Sequence, residues 1–222
     1  MSSARRKFDS MLENLDQSLI EMGRLVEQAI AKATQSFVNK DAAAAKEVIE
    51  MEYDINQMER DIEGQCFTIM LQQQPVARDL RMIKAAMKMI TDMERMGDQS
   101  SDIAEICLLI NNDEYIKNTE QFAQMGQATM GMIRDVIKAF VEKDRELALS
   151  VIGRDDVVDD LFVAIKDDLY RLMLADVNNG RQALDLLMIA KYYERLGDHA
   201  ENIAESVIYS ITGETKKTIH DS

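Results

Sequence analysis

The sequence predicts an all-α protein: two tandem, pseudo-symmetric three-helix bundles, six long antiparallel helices in one chain. Three observations carry that prediction. Apolar residues recur at alternating threes and fours over long runs. The 222 residues include one proline and no tryptophan. The second half repeats motifs of the first at an offset of 103 and then of 100, which is the mark of a duplicated structural unit.

The first helix is carried by Phe8, Leu12, Leu15, Leu19, Met22, Val26, Ala29, Ala33 and Phe37, and ends near Asn39-Lys40-Asp41. Val48, Met51, Ile55, Met58, Ile62, Cys66 and Ile69 carry a second, from about Ala42 to Leu71. Gln72-Gln73-Gln74-Pro75 breaks it, because proline suits the first turn of a helix and not its interior. The third runs from about Val76 to Ile110, where Asn111-Asn112-Asp113 stops it.

The fourth helix closes on Phe140-Val141-Glu142-Lys143-Asp144, an echo of Phe37-Val38-Asn39-Lys40-Asp41, and Met22-Gly23 returns as Met125-Gly126. The fifth is carried by Val151, Val158, Leu161, Ile165, Leu169 and Leu172. Asp176-Val177-Asn178-Asn179-Gly180 is its turn, and the sixth helix spans about Arg181 to Ile211. These units place the domain boundary after residue 110: 1–110 is the first repeat and 111–222 the second.

Composition narrows the function. Forty acidic against 26 basic residues give a net charge of −14. That excludes nucleic-acid binding through bulk electrostatics, which needs cations to displace phosphate counterions. It suits cations or a basic protein partner. No run approaches the ~20 apolar residues of a membrane span, and the N-terminus lacks an apolar signal core. Cys66 and Cys107 stand singly in helical patterns and read as buried thiols of a reducing compartment, so the expected location is cytoplasmic. The 16 methionines read as core filler.

The candidate site is a stretch written twice. Glu94-Arg95-Met96-Gly97-Asp98 returns as Glu194-Arg195-Leu196-Gly197-Asp198, and both copies continue to Ile-Ala-Glu. Residues four apart share one side of a helix. Glu94, Asp98 and Asp102 therefore form one ladder of oxygens, and Glu194, Asp198 and Asn202 a second. Stacked carboxylates repel by about 0.2–0.5 kcal/mol per pair, and a cation reverses that sign.

Each ladder borders the apolar stripe of its helix, where a neighbour can add ligands. Glu52 and Asn56 on the second helix hold the places that Asp155 and Asp159 hold on the fifth. Such an oxygen-rich shell suits magnesium, manganese, iron or calcium. The alternative from the same residues is a packing motif in which Arg95 and Arg195 bridge the acids. A metal-dependent enzyme or a metal-storage bundle is the competing function. The Glu-x-x-His signature of di-iron bundles is absent, and with two histidines acid–base catalysis has few agents. His199 holds the place of Gln99 and reads as a solvated side chain; His220 lies in the polar tail.

Tandem three-helix units, Pro75-Val76-Ala77-Arg78-Asp79-Leu80-Arg81 and the repeated Glu-Arg-x-Gly-Asp together resemble the PhoU family of phosphate-regulatory proteins over nearly the whole chain. The resemblance implies a cytoplasmic, non-enzymatic negative regulator of phosphate uptake and of the phosphate-starvation response. Its implied partners are a Pst-type phosphate transporter ATPase and a PhoR-type sensor histidine kinase, with the membrane reached only through them. A homodimer is also implied. So are metal ions (iron, manganese, magnesium or zinc), in some members as multinuclear clusters. By position the family's metal motif falls on Glu94, Asp98 and Asp102, and on Glu194 and Asp198 with Asn202 in place of a third acid.

Overall fold

The computed structural model describes residues 3–110 and 114–213, with side chains from residue 6. It holds six helices: α1 (Ser3–Asn39), α2 (Ala42–Gln73), α3 (Ala77–Ile110), α4 (Glu120–Glu142), α5 (Arg145–Ala175) and α6 (Gly180–Thr212), with a short 3-10 turn at Val177–Asn179. No strand occurs among the described residues. No described helix is long and apolar enough to cross a membrane. Residues 111–113 and His220, on which the sequence reading also drew, lie outside the described residues.

The repeated Lys-Asp dipeptide is the punctuation of both halves. Lys40 and Lys143 take left-handed φ values of 55° and 57°, which stops the preceding helix. The next residue caps the following one: Asp41 accepts from the Ala43 and Ala44 amides, and Asp144 from that of Leu147. These caps satisfy amide donors that a helix start leaves open.

Two boundaries differ from the sequence expectation. α2 continues to Gln73, and Gln74, in the left-handed region at φ 46°, closes it through its N–H to Met70 O. Pro75 stands in the linker, as the sequence places it, and left-handed Ala77 (φ 47°) makes a second bend at the first residue of α3. In the second half, α6 starts at Gly180, directly from the 3-10 turn.

One continuous core joins all six helices. α2 packs on α1 and α3, and α5 on α4 and α6, while α1 meets α4 and α3 meets α6. Leu15, Leu19, Met22, Val26, Met89, Met96, Met132, Val136, Tyr193 and Leu196 are fully buried there. At its centre Tyr193 Oη lies 2.8 Å from Thr34 Oγ1, whose hydroxyl also donates to Ile30 O at 2.8 Å. A buried phenol without such a partner would cost about 1–3 kcal/mol.

α3 and α6 run antiparallel. His199 faces Asp92, Tyr192 bonds Asp102, Lys84 lies over the Tyr209 ring, and Gln182 holds Glu114 and Ile116. The α2–α3 turn and the α5–α6 turn therefore stand at opposite ends of the molecule. Each acidic ladder lies near the middle of its helix.

Candidate metal centre

Both ladders fall where an inner helix meets its outer partner. In the second half the close approach is set by Gly197: a Cβ there would collide with Asp155 Oδ1 and meet Val158. In the first half Gly97 faces Ile55, whose Cδ1 and Cγ2 would lie 3.0 Å from an added Cβ. The two glycines therefore let α5 and α2 approach the ladders closely.

The second site is the more buried. Asp155 is 8% exposed, and its Oδ1 is buried without a hydrogen-bond partner. Burial, then the charges of Asp159, Glu201, Asp198 and Glu194, push its carboxyl up to about 7. Asp159 lies on the exposed side; it too is pushed up, by partial desolvation and by Glu194, against the pull of Lys191. Asp155, Asp159, Glu194 and Asp198 therefore share one electrostatic neighbourhood. Asn202, one turn beyond Asp198, is half-buried.

The first site is shallower and more fully compensated. Glu94 is raised by desolvation and by Asp98, Glu59 and Glu52, while Arg95 opposes them. Arg95 Nη1 donates to Asp98 Oδ2 at 3.0 Å, and its Nε lies 3.4 Å from Glu94 Oε2. The bridge proposed from sequence therefore forms in this half. Asp102 is raised by burial, Glu105, Asp98 and Glu52, and it accepts a hydrogen bond from the Tyr192 phenol. Asn56 is half-buried, and its Oδ1 has no partner.

The halves differ in their counter-charge. Arg195 forms no matching bridge among the described residues; instead Lys191, one turn earlier on α6, pairs with Glu194 and lies 5.4 Å from the Phe162 ring centroid. At the aligned places of the first half, Thr91 Oγ1 donates to Glu59 at 3.3 Å. Sequence reading missed Lys191, Glu59 and Glu201, which lie outside the repeated motif.

His199 corrects an expectation. It is half-buried, with Nδ1 3.0 Å from Asp92 Oδ1 on α3. The signal was available: Asp92 and Tyr192 occupy matched positions, as do Gln99 and His199. What the sequence could not supply was the α3–α6 pairing that joins them.

Among the described residues no three His, Cys, Asp or Glu side chains converge as a ready coordination shell. The donor chemistry nevertheless fits a hard cation: the unpartnered buried oxygen of Asp155 faces carboxylates that raise its proton affinity, and Asn56 Oδ1 is likewise buried without a partner. Asp155, Asp159, Glu194 and Asp198 would hold an ion in the second half. Glu52, Asn56, Glu94, Asp98 and Asp102 would do so in the first. Two open grooves lie elsewhere, one between α1 and α4 around Gly23 and Ile137, the other between α1 and α2 around Ser18 and Gln65.

The sequence model of the PhoU domain matches this chain twice, over residues 19–107 and 122–207. A phosphate-specific transport system accessory protein PhoU homolog from Clostridium acetobutylicum is 35% identical over 210 residues, covering 94% of this chain and 96% of the relative. The crystal structure of PhoU from Pseudomonas aeruginosa superposes with a TM-score of 0.90 at 34% identity, over 93% of this chain and all of that one. The crystal structure of the phosphate transport system regulatory protein PhoU from Streptococcus pneumoniae gives 0.86 at 31%, over 93% and 98%.

Proposed function

Because this chain belongs to the PhoU family, we propose that it is a non-enzymatic accessory protein of phosphate-specific transport that represses phosphate uptake and the phosphate-starvation response when phosphate is ample. It acts as a metal-dependent adaptor on a Pst-type transporter ATPase and a PhoR-type sensor kinase at the cytoplasmic face, as a homodimer. The observation that carries the metal requirement is the buried, unpartnered Asp155 Oδ1 packed against the second ladder.

The adaptor mechanism follows from where the acids lie. Without a cation, Asp155, Asp159, Glu194 and Asp198 repel across the α5–α6 seam, and Glu52, Glu94 and Asp98 across the α2–α3 seam. A bound cation supplies the positive charge that turns this repulsion into attraction. The carboxylates then hold each outer helix in a fixed register on its inner partner, which pre-organises the surface offered to the transporter.

The test is physiological. A strain whose only copy carries Asp98→Ala and Asp198→Ala is expected to take up phosphate and express starvation genes in phosphate-replete medium, as a deletion strain would. Repression at the wild-type level with the folded double variant present would reject the metal-dependent reading.

A further inference from the structure

Asp155 is met by a glutamate that the repeated motif does not contain. Its Oδ1 occupies the space where a side chain at Gly197 would begin, so position 197 marks the line along which α6 faces α5. On a helix a residue four further on lies within about 40° of that line, and one five further on lies about 140° from it. Glu201 is the first of these and Asn202 the second. Glu194 lies about 60° away. The two glutamates therefore flank Gly197 on the α5 side, about 5 Å before it and about 6 Å after it along the axis. Helical side chains lean toward the N-terminus, which carries Glu201 back over residue 197 and Glu194 away from it. The electrostatics agree: among the α6 acids, Glu201 comes ahead of Asp198 and Glu194 in raising the Asp155 carboxyl. Glu201 is half-buried.

The first half has no counterpart. Ser101 holds the place of Glu201 at the 100-residue offset, and it is buried. Asn202 holds the place of Asp102, whose carboxylate accepts from the Tyr192 phenol across the α3–α6 seam. That bond ties the position to the inner seam, whereas Glu201 stands on the face that α5 covers.

We propose, on the metal-dependent reading above, that Glu201 and not Asn202 is the third α6 ligand of the second cation site, closing on an ion with Asp155, Asp159, Glu194 and Asp198. Asp155, almost fully buried with its Oδ1 unpartnered, is the group such an ion would satisfy. A glutamate carboxylate is a charged, hard oxygen donor where the amide of Asn202 is neutral, and ligand charge tunes the affinity of oxygen sites. The amide in the sequence ladder therefore does not weaken the second site, because the third charge enters one residue earlier, on the face turned to α5.

Terbium(III), a hard ion whose luminescence decay in light and heavy water counts its bound waters, tests this on the full-length chain with Asp98→Ala disabling the first site. Glu201→Gln keeps the size of the side chain and removes its charge. It is expected to weaken terbium binding at least about tenfold and to admit about one further water to the bound ion. Glu201→Asp, with the charge on a shorter arm, is expected to recover part of the affinity. A charge acting from a distance would lower affinity without admitting water, so an unchanged water count in Glu201→Gln would overturn the assignment. So would an affinity equal to the parent's, or a loss in Asn202→Ala as large as that in Glu201→Gln. Asp198→Ala in the same background separates the two claims. If the parent binds no terbium, or Asp198→Ala binds it as the parent does, the metal-dependent reading fails and the role of Glu201 with it. If Asp198→Ala abolishes binding and Glu201→Gln leaves it intact, the metal site stands and Glu201 is not a ligand.

Discussion

Asp155 Oδ1 occupies the space in which a side chain at Gly197 would begin. That contact links α5 to the second ladder and makes residue 197 a switch on the position of the carboxylate. Alanine in place of a helical glycine gains about 1 kcal/mol of helix propensity, and the short Asp155 side chain can swing away from the added methyl. Gly197→Ala is therefore expected to change stability by less than about 1 kcal/mol while weakening cation uptake at the second site. Calorimetric unfolding and metal titration of the same sample check both halves of that expectation.

A second prediction concerns protons. The Asp155 carboxyl is pushed up to about 7 in the folded chain, against ~3.9 when unfolded. Between those values the native state keeps a proton that the unfolded state has released, so its stabilising effect is complete below about pH 4 and lost as pH rises through 7. Metal-free protein should lose about 3 kcal/mol between pH 4.5 and 8 from this group, and Asp155→Asn should flatten that slope. Denaturant melts at the two pH values, with chelator present, measure it. Proton release also predicts that metal uptake strengthens across the same range.

Arg95 competes with a cation for Glu94 and Asp98. Its side chain is 55% exposed, so Arg95→Ala should cost less than about 1 kcal/mol of stability. It should nevertheless raise the affinity of the first site for a divalent ion. Lys191→Ala is expected to act likewise on the second. Isothermal titration of each variant provides the comparison.

The thiols should be inert. Desolvation pushes Cys107 up to about 11 and Cys66 up to about 12, and both are buried, so little thiolate exists at pH 8. A thiol reagent is expected to leave both unlabelled in the native protein and to label both in denaturant. Fast native labelling would show that α2 or α3 opens readily.

Much of this architecture could be read from the residues. The helix faces followed from apolar spacing, and the offset between Phe37–Asp41 and Phe140–Asp144 located the helix stops that left-handed Lys40 and Lys143 produce. Pro75 marked the break between α2 and α3, whereas the left-handed turns at Gln74 and Ala77 that shape it leave no trace in apolar spacing. Periodicity names the face of a helix but not the helix it meets. For that reason His199 could not be joined to Asp92, nor Tyr192 to Asp102. The inequality of the ladders was half legible: Asn202 marked it, whereas the burial of Asp155 and the Lys191–Glu194 pair depend on the α5–α6 packing.

The central claim is that the duplicated Glu-x-x-x-Asp ladders hold metal. Elemental analysis of metal-loaded, desalted wild type and of Asp98→Ala with Asp198→Ala, each with a melting curve before and after chelation, tests it most directly. The account predicts bound metal and a chelator-sensitive melting temperature in the wild type, and neither in the folded double variant. Wild-type protein that retains no metal, or a double variant that retains the wild-type content, would contradict it.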